Sequence, residues 1–360
     1  MITLLAFIIV LGILILIHEL GHFILAKAGG VGVIRFSLGF GPTLVKHRLG
    51  ETEYQIAAVP LGGYVKMVGE DEDDEENAGF DPGFSFAAKP LRIKAMIVAA
   101  GPVFNLLLAI AIFASFAWIG IETPAPDPIV GTVQQGSPAE SAGILKGDRI
   151  TSLNGLKVSR WEQISQFVQQ ADPAKPLVIT LERGGQNLKL TARPKTIAEK
   201  NMFGEQVRRS VLGIAHSGQT VTERYGFFGG LGYGCQQTWW VIKITGIAVG
   251  KMFDGTVAVR DSLGGPIMIA DISGQAFKAG AMPFFYTIAI ISVSLAILNL
   301  LPIPILDGGH LLFFLIEAIT GRPVTGRPRE IAQQIGLFLL IMLMVLAFYN
   351  DIARLLSGHP

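Results

Sequence analysis

His18-Glu19-Leu20-Gly21-His22 follows directly on an almost wholly apolar run, Ile2 to Ile17, and that conjunction decides the fold. On a helix the two histidines, four apart, lie on one face and can hold one metal ion, with Glu19 beside them to take a proton from an attacking water. That is the donor pattern of a zinc hydrolase. A charged or metal-binding group at the end of such a run is costly unless it works there. The run, extended to Leu25, is long enough at about 1.5 Å per residue to cross ~30 Å of hydrocarbon. A metal centre inside a membrane protein is therefore expected.

Composition agrees. Half of the 360 residues are hydrophobic, 16% are charged and the net charge is +1. Such a balance lacks the basic excess on which nucleic-acid binders rely, so no nucleic-acid partner is expected. The single cysteine, Cys235, excludes a disulfide framework within the chain and any cysteine-rich cluster, and reads as a buried or idle thiol. A secretory signal ending at Ala26-Lys27-Ala28 is rejected: no Lys or Arg precedes the apolar run, and cleavage there would discard the metal motif.

Working outward, three further stretches span or nearly span the bilayer: Ala95 to Ile121, Met282 to Leu306 and the shorter Ile335 to Tyr349. Leu311 to Ile319 is apolar but too brief, carries Glu317, and reads as a buried or interfacial segment. Lys27, Arg35, Lys89, Arg92 and Lys94 flank the first connection, and Arg322, Arg327 and Arg329 the third, so both are expected on the cytoplasmic side. Tyr225 to Phe253, with Trp239 and Trp240, reads as an amphipathic helix at the interface. Counting it as a span would put Asp307 on the opposite face of the bilayer from His22.

In the first connection, Gly39-Phe40-Gly41-Pro42 and the β-prone stretch Tyr54 to Lys66, including Leu61, Gly62, Gly63, Tyr64 and Val65, are apolar for a solvated loop. A membrane-associated β-hairpin bordering the site is expected, because irregular backbone at membrane depth must be buried in protein or line a watery cavity; an ordinary surface hairpin is the alternative. The acidic run Glu70 to Glu76 reads as a solvated, disordered loop without a catalytic role. Asn105, in the second span, needs a partner in hydrocarbon and so faces the bundle interior; an interhelical hydrogen bond and a substrate contact are both open to it.

After Pro124-Ala125-Pro126-Asp127-Pro128 the chain turns to soluble α/β character. Strands are expected at Ile129 to Val133, Arg149 to Leu153, Leu177 to Glu182 and Leu188 to Ala192, the last two joined across Gly184-Gly185, with Asn154-Gly155 a tight turn. Helices are capped at Ser137-Pro138-Ala139-Glu140 and at Ser159-Arg160-Trp161-Glu162. Gly136 to Asp148 resembles bacterial PDZ domains, which implies one α/β PDZ domain over about Ile129 to Ala215. Such folds bind extended chain ends at a sheet edge, so a peptide ligand is expected unless the domain is a steric cap over the site.

The third span ends in Asn299-Leu300-Leu301-Pro302-Ile303-Pro304-Ile305-Leu306-Asp307-Gly308-Gly309. An aspartate at membrane depth demands a partner. The first and third spans both run inward and reach their acid-bearing motifs after similar lengths, so Asp307 lies at the depth of His22 and supplies a third zinc ligand, leaving a fourth position open for water. His310, one turn on, is not needed as a ligand.

Taken together, these motifs resemble the site-2 protease family, most closely the bacterial regulator of sigma-E protease type. The resemblance extends to Gly39-Phe40-Gly41-Pro42, Gly62-Gly63-Tyr64, Gly101 with Asn105, and Leu263 to Ile267. It implies an intramembrane zinc metalloendopeptidase of the bacterial inner membrane, with zinc on His18, His22 and Asp307. It also implies Asn105 and Asn299 handling substrate, and single-span substrates of the anti-sigma-factor type or signal-peptide remnants. One PDZ domain is visible where many enterobacterial members carry two.

The expected architecture is a polytopic α-helical membrane protein with four transmembrane helices, a membrane-associated β-hairpin at Leu61 to Val65 that can pair with unwound substrate, and one inserted PDZ domain. Its divisions are 1–121, a periplasmic PDZ domain at 122–215, a periplasmic juxtamembrane region at 216–281, and 282–360. The site sits near the cytoplasmic side. A zinc transporter is a poorer reading, because Ile335 to Phe348 offers no polar groups along a transport path. A non-catalytic PDZ scaffold would have no use for Glu19.

Overall fold

The computed structural model describes residues 1–70, 79–201, 205–254, 264–324 and 326–357. In chain order these form α1 (Ile2–Ala28), β1 (Val33–Leu49), β2 (Thr52–Met67) and α2 (Leu91–Ile119). A β-rich segment follows: β3 (Ile121–Pro124), β4 (Val130–Val133), α3 (Pro138–Ser141), β5 (Arg149–Leu153), β6 (Leu156–Lys157) and α4 (Trp161–Gln170). It continues with β7 (Leu177–Arg183), β8 (Gln186–Ala192), β9 (Lys195–Lys200), β10 (Gln206–Val211), β11 (Ile214–His216) and β12 (Thr220–Glu223). The chain ends in α5 (Phe227–Phe253), α6 (Pro266–Ala279), α7 (Ala281–Asn299), α8 (Asp307–Thr320) and α9 (Arg327–Ser357). Residues 71–76 of the acidic run, and Leu263, lie outside the described residues.

Two compact units emerge, one holding the long helices with β1 and β2, the other the segment Ile119–Tyr225. In the first, α1, α2, α7 and α9 are long and apolar enough to cross a membrane. Three differences from the expected spans have simple causes. The third ends at Asn299, because Pro302 and Pro304 cannot continue a helix. The fourth is not short, since charged and polar residues extend its helix at both ends. Leu311 to Ile319 is part of the continuous helix α8, and Glu317 lies 3.9 Å from Lys94 at the start of α2.

Small residues let the helices approach. A Cβ at Gly21 would sit 2.5 Å from the Ala100 carbonyl oxygen, so α1 and α2 cross in contact there. Within α2, Pro102 removes an amide from the helical ladder. Further out, Val10, Phe113, Val241 and Ile288 join α1, α2, α5 and α7 in one buried cluster. α5 thus packs its Val241 face into the bundle and leaves Trp239 and Trp240 exposed. Cys235, on the same helix, is exposed rather than buried.

α6 begins at Gly265, and its first amides are satisfied from α9. Asp351, only 3% exposed, accepts from Gly265 N, Ile267 N and Met268 N at 3.0, 2.9 and 3.1 Å. Without that carboxylate three donors would be stranded at a buried helix end.

β1 and β2 are long, bent and paired twice. Residues 33–38 pair with 63–67 on one side and with 53–56 on the other, while 43–49 pair with 52–57. The hairpin is therefore four runs wide, in the order 43–49, 52–57, 33–38, 63–67. Gly39 and Gly41, both at positive φ, make the bend between the two halves of β1. The outer run 43–49 is exposed throughout and carries Leu44, Val45 and Leu49.

In the second unit, a sheet ordered β6-β5-β7-β8 packs with α4 over a core of Ile150, Leu153, Ile164, Leu177, Ile179 and Leu181. Asn154-Gly155 and Gly184-Gly185 turn with positive φ at every position. The unit is longer than 122–215, because β3 pairs with β12 and carries it to Ile119–Tyr225. Ser137 caps α3, accepting from Glu140 N. At α4 the expected cap is replaced: Gln163 Oε1 accepts from Ser159 N and Arg160 N, so the side chain three residues into the helix caps it.

Candidate metal centre

His18 and His22 come from the C-terminal half of α1, whose four-residue spacing sets the rings edge to face with centroids 4.9 Å apart. α2 supplies the wall behind them. At Gly101 a Cβ would lie 2.7 Å from Cε1 of both rings, so only glycine fits. His22 Nδ1 lies 2.8 Å from the Ile97 carbonyl oxygen, which accepts its proton and turns Nε2 outward. His18 Nδ1 lies 3.3 Å from the Asn105 amide.

Asp307 arrives from the other side as the first residue of α8. Gly308 and Gly309 make the approach feasible, since a Cβ on either would overlap the carbonyls of residues 300–303. Its Oδ2 lies 3.2 Å from His18 Nε2 and its Oδ1 3.6 Å from His22 Nε2, while the two Nε2 atoms are 3.2 Å apart. All three ligand atoms fall within 4.8 Å of one another. A tetrahedral ion with bonds of about 2.0–2.1 Å sets its ligands ~3.3 Å apart. Asp307 Oδ2 is buried and accepts no hydrogen bond. Two imidazole nitrogens and a carboxylate oxygen converging at these separations fit Zn²⁺.

The remaining residues singled out above divide into two groups. Glu19 is buried on α1 with its Cγ 2.9 Å from where a Cβ on Gly63 would stand. Asn299, the last residue of α7, brings Nδ2 to 3.4 Å from His18 Nε2. Gly62 and Gly63 lie at the start of the run 63–67, whose second edge carries no strand among the described residues. Tyr64, by contrast, stacks on Phe40, and its hydroxyl accepts from Gln55. Val65 is buried beside Val33 and Phe36, so its side chain packs in the core and faces no ligand. The Leu61 side chain lies outside the described residues. Sequence reasoning missed the Ile97 carbonyl, which no residue type announces, and the wall at Gly101, for which the histidine pair facing a glycine-bearing helix was the available signal.

A family model described as peptidase family M50 matches residues 6–343. A protein of Rhizobium meliloti (strain 1021) named as a zinc metalloprotease is 36% identical, covering 97% of this chain and 96% of its own. One of Rickettsia conorii, named likewise, is 36% identical over 99% and 100%. A third, from Neisseria meningitidis serogroup A, is 31% identical over 99% and 100%. The last alignment runs over 452 positions, so that relative carries insertions absent from these 360 residues.

Proposed function

The chain belongs to peptidase family M50, a multi-pass membrane protein whose relatives are named zinc metalloproteases, and on that premise we propose that it is an intramembrane zinc endopeptidase. Its substrates are the spanning segments of single-span membrane proteins, of the anti-sigma-factor or signal-peptide-remnant kind. One observation carries this reading: His18 and His22 from the apolar helix α1 and Asp307 from the glycine-bordered start of α8 converge on one point.

Those three residues would hold the ion, which when bound supplies Lewis acidity and an acidified water. Glu19 takes the proton of the attacking water and returns it to the leaving amine. A helical substrate hides its carbonyls in i to i+4 hydrogen bonds, so it must be drawn out before attack. The free edge at Gly63 to Val65 lies next to Glu19 and can pair with the extended strand, as sheet edges do for peptides elsewhere. The Asn299 amide, bordering the donor cluster, hydrogen-bonds the substrate there.

The segment Ile119–Tyr225 acts as a periplasmic PDZ domain. Its groove of about 550 Å³ between α4 and β10–β11, lined by Trp161, Ile164, Val168, Leu212 and Ile214, takes an extended chain end. The connections rich in Lys and Arg face the cytoplasm, and the enzyme resides in the bacterial inner membrane.

The test is Glu19→Gln in the purified, lipid-reconstituted protein with a single-span substrate. Zinc content is expected to stay at the wild-type level while cleavage falls by about 10²–10⁴-fold. Undiminished cleavage would refute the proposal.

A further inference from the structure

Ile97, Gly101 and Asn105 are spaced four apart on α2, and each meets the histidine pair. Ile97 gives His22 Nδ1 a carbonyl, Gly101 gives both rings room, and Asn105 meets His18 Nδ1. Asn105 is fully buried, at 0% exposure. Its backbone carbonyl accepts from Ser292 Oγ of α7 at 2.8 Å, so this turn of α2 is pinned from behind. The side-chain oxygen, Oδ1, is buried without a hydrogen-bond partner, while Nδ2 lies 3.3 Å from His18 Nδ1.

That pairing leaves one need unmet on each side. Both Nε2 atoms face Asp307, and an imidazole that ligates through Nε2 carries its proton on Nδ1. The proton needs an acceptor. Ile97 O serves His22; for His18 the group within reach is the Asn105 amide. An amide's oxygen and nitrogen exchange places by a half-turn about its last torsion, with almost no change of shape. With nitrogen toward the ring, two donors oppose each other and an oxygen is stranded. With oxygen toward the ring, the oxygen and the ring proton answer each other, and Nδ2 takes the position that Oδ1 leaves.

We propose that Asn105 is a positioning residue for the metal centre rather than a substrate contact: its amide oxygen accepts the His18 Nδ1 proton and commits Nε2 to the ion. α2 thereby orients both histidines, one through its backbone and one through a side chain. This inference rests on the reading of His18 as a zinc ligand.

The test measures zinc affinity of the full-length protein in lipid nanodiscs by chelator competition, together with KM for a single-span substrate. Asn105→Leu, nearly isosteric but without an acceptor, is expected to bind zinc about 10–100-fold more weakly. Asn105→Asp, which keeps an oxygen in place, is expected to restore affinity. A shift in KM with zinc affinity unchanged in Asn105→Leu would make the residue a substrate contact and overturn the proposal. His18→Ala separates the two claims. If it keeps zinc, the ligand reading falls and this inference with it; if it loses zinc while Asn105→Leu does not, this inference alone falls. Should Asn105→Leu fail to fold, ¹⁵N-histidine NMR of the zinc-loaded wild type decides: a proton on His18 Nδ1 supports the proposal, and a bare Nδ1 overturns it.

Discussion

Asp148 in the β-rich unit and Asp307 in the helical unit are both carboxylates largely withdrawn from water, yet they are treated in opposite ways. Asp148, 1% exposed, receives Arg183 Nε and Nη2 at 2.7 Å each and Leu145 N at 2.8 Å. Asp307 has a buried oxygen with no donor at all and two imidazole nitrogens at 3.2 and 3.6 Å. A carboxylate whose oxygens are all answered holds a fold together; one set against other electron-pair donors is a ligand.

The sharpest break of this contrast is a pair of substitutions. Asp307→Asn is expected to abolish both zinc retention and cleavage while leaving thermal unfolding of the β-rich unit unchanged. Asp148→Asn is expected to do the reverse, with hydrogen exchange across 119–225 rising and zinc content constant. Zinc kept by Asp307→Asn would erase the distinction. Gly101→Ala comes next: its methyl group overlaps both rings, so zinc affinity should fall steeply although no ligand has changed.

Acidification separates the two sites by sign. Burial alone would raise the Asp148 carboxyl, but the Arg183 and Leu145 hydrogen bonds and the Arg183 charge outweigh it and hold the group below its ordinary value. A depressed folded-state pKa gives stability that is complete above the unfolded value of about 3.9 and is lost as pH falls through the folded one. Exchange protection in 119–225 should therefore hold at neutral pH and drop below about pH 4, and Asp148→Asn should flatten that dependence. The smallest effect is expected at Asp351, which like Asp148 is well partnered. Asp351→Ala should loosen the start of α6 by about 0.5–2 kcal/mol, the usual worth of a helix cap, read as faster exchange at residues 265–268 with zinc retained.

The histidine pair, Asp307 and the spans could be named from the sequence because each rests on local spacing or on length of apolar chain. Helical periodicity puts His18 and His22 on one face whatever surrounds them. What lay beyond reach depends on contacts distant in the chain. The Ile97 carbonyl is anonymous in any sequence, and Asn105 declared a need for a partner without declaring which. The Asp351 cap joins residues more than eighty apart and looks locally like an acid at a helix end. The doubled register of β1 and β2 turns on Gly39 and Gly41, which the sequence marks as turns but not as a fold of the sheet onto itself. Alternation within a short β-prone stretch does not say which face is buried, so nothing local separates Val65, which packs inward, from its neighbours.

The outer run of the hairpin has a practical consequence for anyone isolating this molecule. Residues 43–49 end the sheet on one side and present Leu44, Val45 and Leu49 beside unpaired backbone. An exposed strand border of this kind is a template for a second copy of itself. Aggregates and apparent dimers of the purified protein are therefore expected to join through residues 43–49, and a charged residue in place of Val45 is expected to disperse them.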